Sequence, residues 1–201
     1  MARRAASTPL NMIAAVLVTC IVAAAALTVT YELTRERIIE QERAAERAAL
    51  EAVLPGIDTS EPVDDLVAPA QGAAGDVPVQ AVYRAYDAAG EPIGWGVRVA
   101  PRGYSGPVTM VVGLDRDGSV LGVSIITMSE TPGLGTKIVT QEGWIEQFAG
   151  WQGDDIDASA RAFDAIAGAT RSSNAVRDGV LAAGHVFAEV LSGLSEEGGA
   201  Q

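Results

Sequence analysis

The chain has 201 residues, of which 48% are hydrophobic and only 5% aromatic, and its formal net charge is −12 at pH 7. An acidic chain repels phosphate backbones, and no stretch interleaves basic with aromatic residues, so we expect no nucleic-acid binding. Cys20 is the only cysteine and His185 the only histidine. An intrachain disulfide and a cysteine metal cluster are thereby excluded, and we expect no metal site and no catalytic residue set.

The first predicted element is a membrane-spanning helix over residues 10–31, which contain no charge. At about 1.5 Å rise per residue it spans roughly 33 Å, enough to cross the hydrocarbon core of a bilayer. Arg3 and Arg4 precede it, so the positive-inside rule places residues 1–9 in the cytoplasm and the main domain outside a bacterial cytoplasmic membrane. A cleaved signal peptide is the alternative, although its apolar region is usually shorter.

Two connecting segments follow the apolar run. Residues 32–57 predict a helical stalk, because 34–54 is rich in strong helix formers and Pro55-Gly56 would end the helix. Residues 58–78 are acidic and rich in Pro, Gly and Ala, which is typical of a loop or linker.

The remaining chain predicts a folded domain over residues 79–194 and a flexible tail over 195–201. Helical periodicity over 172–191 and a short helix at 143–150 would cover a sheet. Strand patterns occupy four segments, and a hairpin signal at residues 116–118 joins the last two: 79–87, 93–100, 107–115 and 119–128. The predicted fold class is α+β, an antiparallel sheet packed with helices.

One candidate site lies where Ala167-Gly168-Ala169-Thr170 precedes the last helix. Small residues leave the Thr170 hydroxyl open, and an unpaired helix N-terminus suits a phosphate group. Ser172 and Ser173 are N-cap residue types, and we predict that they contact a bound cofactor there. An ordinary helix cap is the alternative interpretation.

A second candidate is the loop at residues 129–137, which follows the strand ending near Met128. Its proline and two glycines predict a tight loop that a flat ring could approach closely. Glu130 and Thr131 could orient polar ring edges, and Lys137 could offset negative charge. The alternative is an ordinary turn between a strand and a helix.

Three motifs in this order resemble the G subunit of the Rnf electron-transport complex, within the FMN-binding family that also includes the C subunit of the sodium-pumping NADH:quinone reductase. They are Gly-Tyr-Ser-Gly-Pro at 103–107, Glu-Thr-Pro-Gly-Leu-Gly at 130–135, and Gly-Ala-Thr at 168–170. The resemblance implies FMN linked through its phosphate to Thr170. It also implies flavin contacts from a set of loop residues: Glu130, Thr131, Gly133, Leu134, Gly168 and Ala169.

The resemblance further implies that a flavin transferase attaches the cofactor, using FAD as donor and a divalent metal. Its target pattern matches Asp164, Gly168, Ala169 and Thr170, whereas Ala167 stands where Ser or Thr is usual. The chain would then be a membrane-anchored electron-transfer protein, held in lipid beside the other subunits of its complex.

That complex would couple ferredoxin:NAD electron transfer to sodium or proton translocation, and this chain alone would not be a complete enzyme. Two alternatives stay open. One is a non-redox module that assembles a membrane complex or binds a partner, and the other is a free-standing flavoenzyme.

Overall fold

A computed structural model describes residues 9–152 and 163–197. The chain divides into two compact units, residues 1–44 and 45–201. Most of the predicted cytoplasmic N-terminus lies outside the described residues, as do residues 198–201 of the predicted tail. The start of that tail is helical, because the last helix runs from Ser192 to Glu197.

Helix α1, Pro9–Val53, covers the predicted membrane segment and most of the predicted stalk. By length and composition its apolar part can cross a membrane, and its large apolar side chains between Leu10 and Leu33 are exposed. The hydroxyls of Thr19, Thr28 and Thr30 each donate to the carbonyl four residues earlier at 2.9 Å. These bonds satisfy polar groups that hydrocarbon could not.

The second unit is built on a five-stranded antiparallel sheet in which the strands follow chain order. The strands are β1 Thr59–Pro62, β2 Val79–Tyr86, β3 Pro92–Val99, β4 Val108–Asp115 and β5 Val120–Met128. The predicted hairpin joins β4 to β5, where Asp115 Oδ1 accepts from the N–H groups of Asp117 and Ser119 at 2.9 and 2.8 Å. The α+β prediction is confirmed.

The segment predicted as a linker, residues 58–78, carries structure of its own. Strand β1 pairs with β2, and helix α2 spans Val67–Ala73. Gln71 fastens the following turn, because its side chain bonds Gly75 O at 3.1 Å and Val79 N at 2.8 Å. A four-residue edge strand with mostly exposed side chains gives too little alternation for the sequence to reveal it.

Helices cover one face of the sheet. After β5 come the short helix α3, Lys137–Thr140, and a 3₁₀ turn, Ile145–Phe148. Helix α4, Thr170–Val186, continues through a π-helical turn, Phe187–Leu191, into α5, Ser192–Glu197. The predicted helix over 172–191 is therefore present and begins two residues earlier. Its apolar stripe packs on the sheet and includes Val176, Val180 and Val186.

The end of α1 covers the opposite face of the sheet, and we call this side of the sheet the anchor face. It buries a small apolar cluster: Ala49, Leu50, Val53, Leu54, Tyr83, Ala85 and Val111. A Cβ at Gly113 would lie 2.5 Å from Val53 O, so glycine permits the helix to approach. Each buried valine or leucine side chain there contributes about 1.5–3 kcal/mol. Residues 45–54 of the predicted stalk thus belong to the folded unit.

A polar cluster at the edge of the anchor face ties α1 to β2 and β3. Arg98 Nη1 donates to Glu46 Oε1 at 2.8 Å, and the Tyr83 hydroxyl donates to the same oxygen. Burial raises the pKa of Tyr83, and the hydrogen bond and charge of Glu46 raise it further. Burial lowers the pKa of Arg98, but the hydrogen bonds and charges of Glu46 and Tyr83 together outweigh burial and leave that pKa raised. The cluster joins residues far apart in sequence.

Candidate functional site

The loop after β5 contains a tight turn, and its shape depends on a short-range hydrogen bond and on one glycine. Leu134 N donates to Thr131 O at 3.2 Å, with Pro132 and Gly133 between them. Gly133 has φ +78°, the conformation that a type II turn requires at this position. Thr136 Oγ1 accepts from Gly133 N at 2.9 Å and fastens the turn to the start of α3.

A second turn of similar form precedes α4. Ala169 N donates to Ile166 O at 2.9 Å, and Gly168 between them has φ +82°. A Cβ at Gly168 would lie 3.9 Å from Leu134 Cδ2, so the two turns are neighbours in space. This approach brings together the two sequence motifs that were predicted to form one site.

Ser172 and Ser173 are N-cap residue types, but neither of them caps helix α4. Helix α4 starts at Thr170 with Ala169 as its N-cap, and no side chain of the described residues caps it. The two serines lie within the first turn and are buried. Ser173 Oγ accepts from Ile166 N at 3.1 Å, which secures the turn before the helix. That bond, rather than a cap, accounts for a serine at this position.

Glu130 connects three parts of the site. Its Oε1 accepts from Tyr104 N at 2.8 Å and from Ser105 N at 3.4 Å. Its Oε2 accepts from Ser172 Oγ at 2.8 Å. The side chain is buried, with 8% of its surface exposed. One carboxylate therefore joins the 102–107 loop, the 129–136 loop and the first turn of α4.

Two glycines make room for this carboxylate. A Cβ at Gly103 would lie 2.2 Å from Glu130 Oε1, and one at Gly135 would lie 2.3 Å from Glu130 Oε2. Such distances are too short for any carbon contact, so both positions require glycine while Glu130 stays in place. These glycines of the first and second motifs thus have a packing reason that the sequence alone did not reveal.

The three segments line an open pocket of about 340 Å³. Its volume lies within the range of roughly 300–1,000 Å³ that is common for small-molecule sites. Seven residues predicted to contact a cofactor line it: Glu130, Thr131, Leu134, Gly168, Ala169, Thr170 and Ser172. The predicted contacts Gly133 and Ser173 do not belong to this lining and instead shape its two turns. Tyr104, Gly135 and Arg171 also line the pocket and were missed as site residues.

Thr170 lies at the point where α4 opens onto the pocket. It is the first residue of the helix and its side chain is exposed. The N–H groups of a first helical turn have no acceptors within the helix and carry partial positive charge. Arg171 follows directly and is exposed on the same pocket wall. The surroundings of the Thr170 hydroxyl therefore favour an anionic group such as a phosphate.

The segment leading to Thr170 is held by side chains that the sequence did not single out for this purpose. Trp144 Nε1 donates to Asp164 O at 2.7 Å. The Gln147 amide accepts from Asp164 N at 3.0 Å and donates to Asp164 O at 3.3 Å. The main chain of Asp164 is thus bound on both sides while its residue remains exposed. Asp164 lies outside the pocket lining.

Lys137 lies on the far side of the second turn. Its Nζ donates to Ala167 O at 3.5 Å and would lie 3.9 Å from a Cβ at Gly168. It lines a neighbouring open groove of about 520 Å³ together with Trp144 and residues 164–167. The predicted offset of charge by Lys137 would therefore act from beside the pocket.

Comparison with known proteins places this site in a family. Residues 103–184 match the family described as an FMN-binding domain. The chain is 32% identical over 176 residues to the G subunit of the ion-translocating oxidoreductase complex of Stutzerimonas stutzeri, covering 82% of this chain and 74% of that protein. The chain belongs to this family of G subunits. The G subunit of Pseudoalteromonas atlantica is 35% identical over 78% of this chain and 77% of its own length. That of Vibrio atlanticus is 33% identical over 74% and 75%.

Membership of the G-subunit family agrees with the resemblance found in the sequence motifs. The matched region contains all three pocket segments, from Gly103 to the first turns of α4. An FMN-binding domain is therefore present in the chain, and its relatives are subunits of an ion-translocating oxidoreductase complex. The long apolar helix fits a single-pass membrane protein.

Proposed function

We propose that FMN is joined through its phosphate to Thr170 and that the chain is an electron-transfer subunit of an ion-translocating complex. The observation that carries the proposal is the position of Thr170, exposed at the first residue of α4 and on the wall of the pocket. A phosphate ester on its hydroxyl would lie beside the first-turn N–H groups and the Arg171 guanidinium. Both stabilise negative charge.

The other lining residues suit the remainder of the cofactor. Gly168, Ala169 and Gly135 add little bulk, so a flat ring system can approach the backbone closely. Leu134 offers an apolar surface, whereas Glu130 and Thr131 add polar groups. Gly133 and Ser173 would act indirectly, because they hold the shapes of the two turns. This mixture of apolar walls and a few polar groups is typical of cofactor sites.

Attachment would be carried out by a flavin transferase that uses FAD and a divalent metal. The bond that forms joins Thr170 Oγ to the phosphorus of FMN, and the bond that breaks is the pyrophosphate bond of FAD. AMP leaves, and the hydroxyl proton is released. The transferase would recognise Asp164, Gly168, Ala169 and Thr170. All of these are exposed except Ala169, which is buried.

The bound flavin would supply one- and two-electron transfer, and the protein residues would hold it and adjust its environment. A covalent link prevents its loss from a domain outside the cytoplasm. We infer that the apolar part of α1, residues 10–31, lies in the lipid of the bacterial inner membrane and that the N-terminus lies in the cytoplasm. With the other subunits, the complex would couple ferredoxin:NAD electron transfer to sodium or proton translocation.

In-gel flavin fluorescence after denaturing electrophoresis tests the attachment. The full chain is co-expressed with a flavin transferase beside Thr170→Val and the matched variant Thr127→Val, which changes an exposed threonine on β5. We expect fluorescence in the native and T127V bands and none in T170V. A dark native band, with a known transferase substrate fluorescent alongside, would contradict the proposal and favour a non-redox assembly module.

A further inference from the structure

The charge environment of Glu130 differs from that of an ordinary buried acid. Both oxygens accept hydrogen bonds, and their partners are the Tyr104 and Ser105 amides and the Ser172 hydroxyl. Within residues 9–152 and 163–197, the ion pairs are Arg47–Glu51, Arg98–Glu46 and Arg177–Asp178, and none includes Glu130. A carboxylate is acceptor-only when ionised, which matches these partners. Its negative charge is stabilised by dipoles, and no cation of the described residues forms an ion pair with it.

The structure keeps this carboxylate at the pocket wall. Glu130 lines the pocket while only 8% of its surface is exposed. Gly103 and Gly135 leave the space that its two oxygens occupy. The first turn of α4 and the 102–107 loop both depend on it for hydrogen bonds. A molecule that fills the pocket therefore meets a negative charge that is fixed in position and largely shielded from solvent.

We propose that Glu130 lowers the midpoint potential of the flavin bound in this pocket; the inference rests on the proposed function. Each electron that the flavin accepts adds one negative charge unless a proton accompanies it. A nearby fixed negative charge opposes that addition, and burial weakens the screening by solvent and salt. Arg171 acts in the opposite direction, but it is exposed and its charge is more strongly screened.

The substitution Glu130→Gln removes the negative charge and keeps the size and most of the hydrogen bonding of the side chain. A glutamine is nearly the same size, its oxygen can accept from Tyr104 N, and its amide nitrogen can donate to Ser172 Oγ. The flavin-loaded full chain in detergent is reduced stepwise with dithionite and mediators while its absorbance and potential are recorded. We expect the midpoint potential of E130Q to lie above that of the wild type. Glu142→Gln removes one exposed charge from the chain and is the matched control.

The outcomes separate this inference from the proposed function. Fluorescent wild-type protein whose potential is unchanged in E130Q, or shifted equally in E142Q, would overturn the inference and leave the covalent attachment standing. If E130Q takes up no flavin, the midpoint potential is measured in Glu130→Asp instead, because this variant keeps the negative charge. A potential at or below the wild-type value in E130D supports the inference, and a higher one overturns it. A dark band in every variant would instead contradict the attachment.

Discussion

Two carboxylates on opposite sides of the sheet are shielded from solvent, and they differ in the groups that donate hydrogen bonds to them. Glu46, at the anchor face, accepts from the Arg98 guanidinium and the Tyr83 hydroxyl, and its side chain is 20% exposed. Glu130, at the pocket, accepts from two main-chain amides and a serine hydroxyl, and these are its partners in the part of the chain that the structure describes. The charge of Glu46 is neutralised by a cation, whereas the charge of Glu130 has no ion-pair partner among residues 9–152 and 163–197.

The difference indicates two roles for a buried acid. An ion pair that joins distant segments fixes their relative positions, but its opposite charges cancel at a distance. A carboxylate held by neutral donors is equally well positioned and keeps its electric field. Glu46 therefore holds the end of α1, residues 45–53, on the sheet. Glu130 joins the three segments of the pocket and also places a negative charge in its wall.

The largest expected effect comes from adding one methyl group to a glycine in each region. In Gly135→Ala the new carbon meets Glu130 Oε2 at 2.3 Å and Ser172 Oγ at 2.8 Å, and neither can move without losing its bond. In Gly96→Ala it meets Leu50 Cδ2 at 2.5 Å, the end of a flexible side chain. We expect G135A to cost about 1–3 kcal/mol and to lower flavin loading, and G96A to cost less.

Denaturant unfolding in detergent, followed by tryptophan fluorescence, measures both free energies, and in-gel fluorescence measures loading. A larger loss of stability in G96A than in G135A would contradict the assigned role of Gly135, and so would wild-type flavin loading in G135A.

The same Glu→Gln exchange at both carboxylates should give different losses of stability. Glu46→Gln leaves the Arg98 charge, 28% exposed, without its partner, and we expect a cost of about 1–2 kcal/mol. Glu130→Gln keeps a hydrogen-bonding side chain of the same size, and we expect less than about 1 kcal/mol. The free energy of unfolding of each variant provides the check, and equal costs would contradict the assignment of separate roles.

The smallest expected effect is a pH dependence of the free energy of unfolding that arises from Tyr83 at the anchor face. The pKa of Tyr83 lies above its ordinary value of 10.0 in the folded protein, so the unfolded chain loses this proton first. The stability contributed by the protonated phenol is complete below pH 10 and declines as the pH rises toward the raised pKa. We expect a loss below about 1 kcal/mol between about pH 8 and about pH 10.5.

Tyr83→Phe removes this titrating group, so its free energy of unfolding should fall less over that interval than that of the wild type. Equal losses in the two proteins would assign the pH dependence to other groups.

Local signals in the sequence were sufficient for much of this architecture. Pro132-Gly133 indicated the tight loop after β5, and the residues at 116–118 indicated the hairpin. Four strands and the main helix followed from periodicity. The small residues before Thr170 correctly indicated an accessible hydroxyl at a helix start, because this depends on neighbours in the chain.

Contacts between distant residues could not be predicted in the same way. Glu46 and Arg98 are 52 positions apart, and Gln147 binds a main-chain segment 17 positions later. The serines after Thr170 resembled helix caps, but Ser172 bonds a glutamate 42 positions away. The role of these serines depends on which strand ends beside helix α4. The order of the strands in the sheet sets that neighbour, and the local sequence does not reveal it.

Peptide mapping by mass spectrometry tests the central claim most directly. Trypsin cleaves after Arg161 and Arg171, and the peptide between them, residues 162–171, contains Thr170 as its only hydroxyl residue. In protein matured with the transferase, we predict that this peptide gains the mass of FMN less one water and absorbs as a flavin. An unmodified 162–171 peptide together with flavin on another peptide, or on none, would contradict the claim.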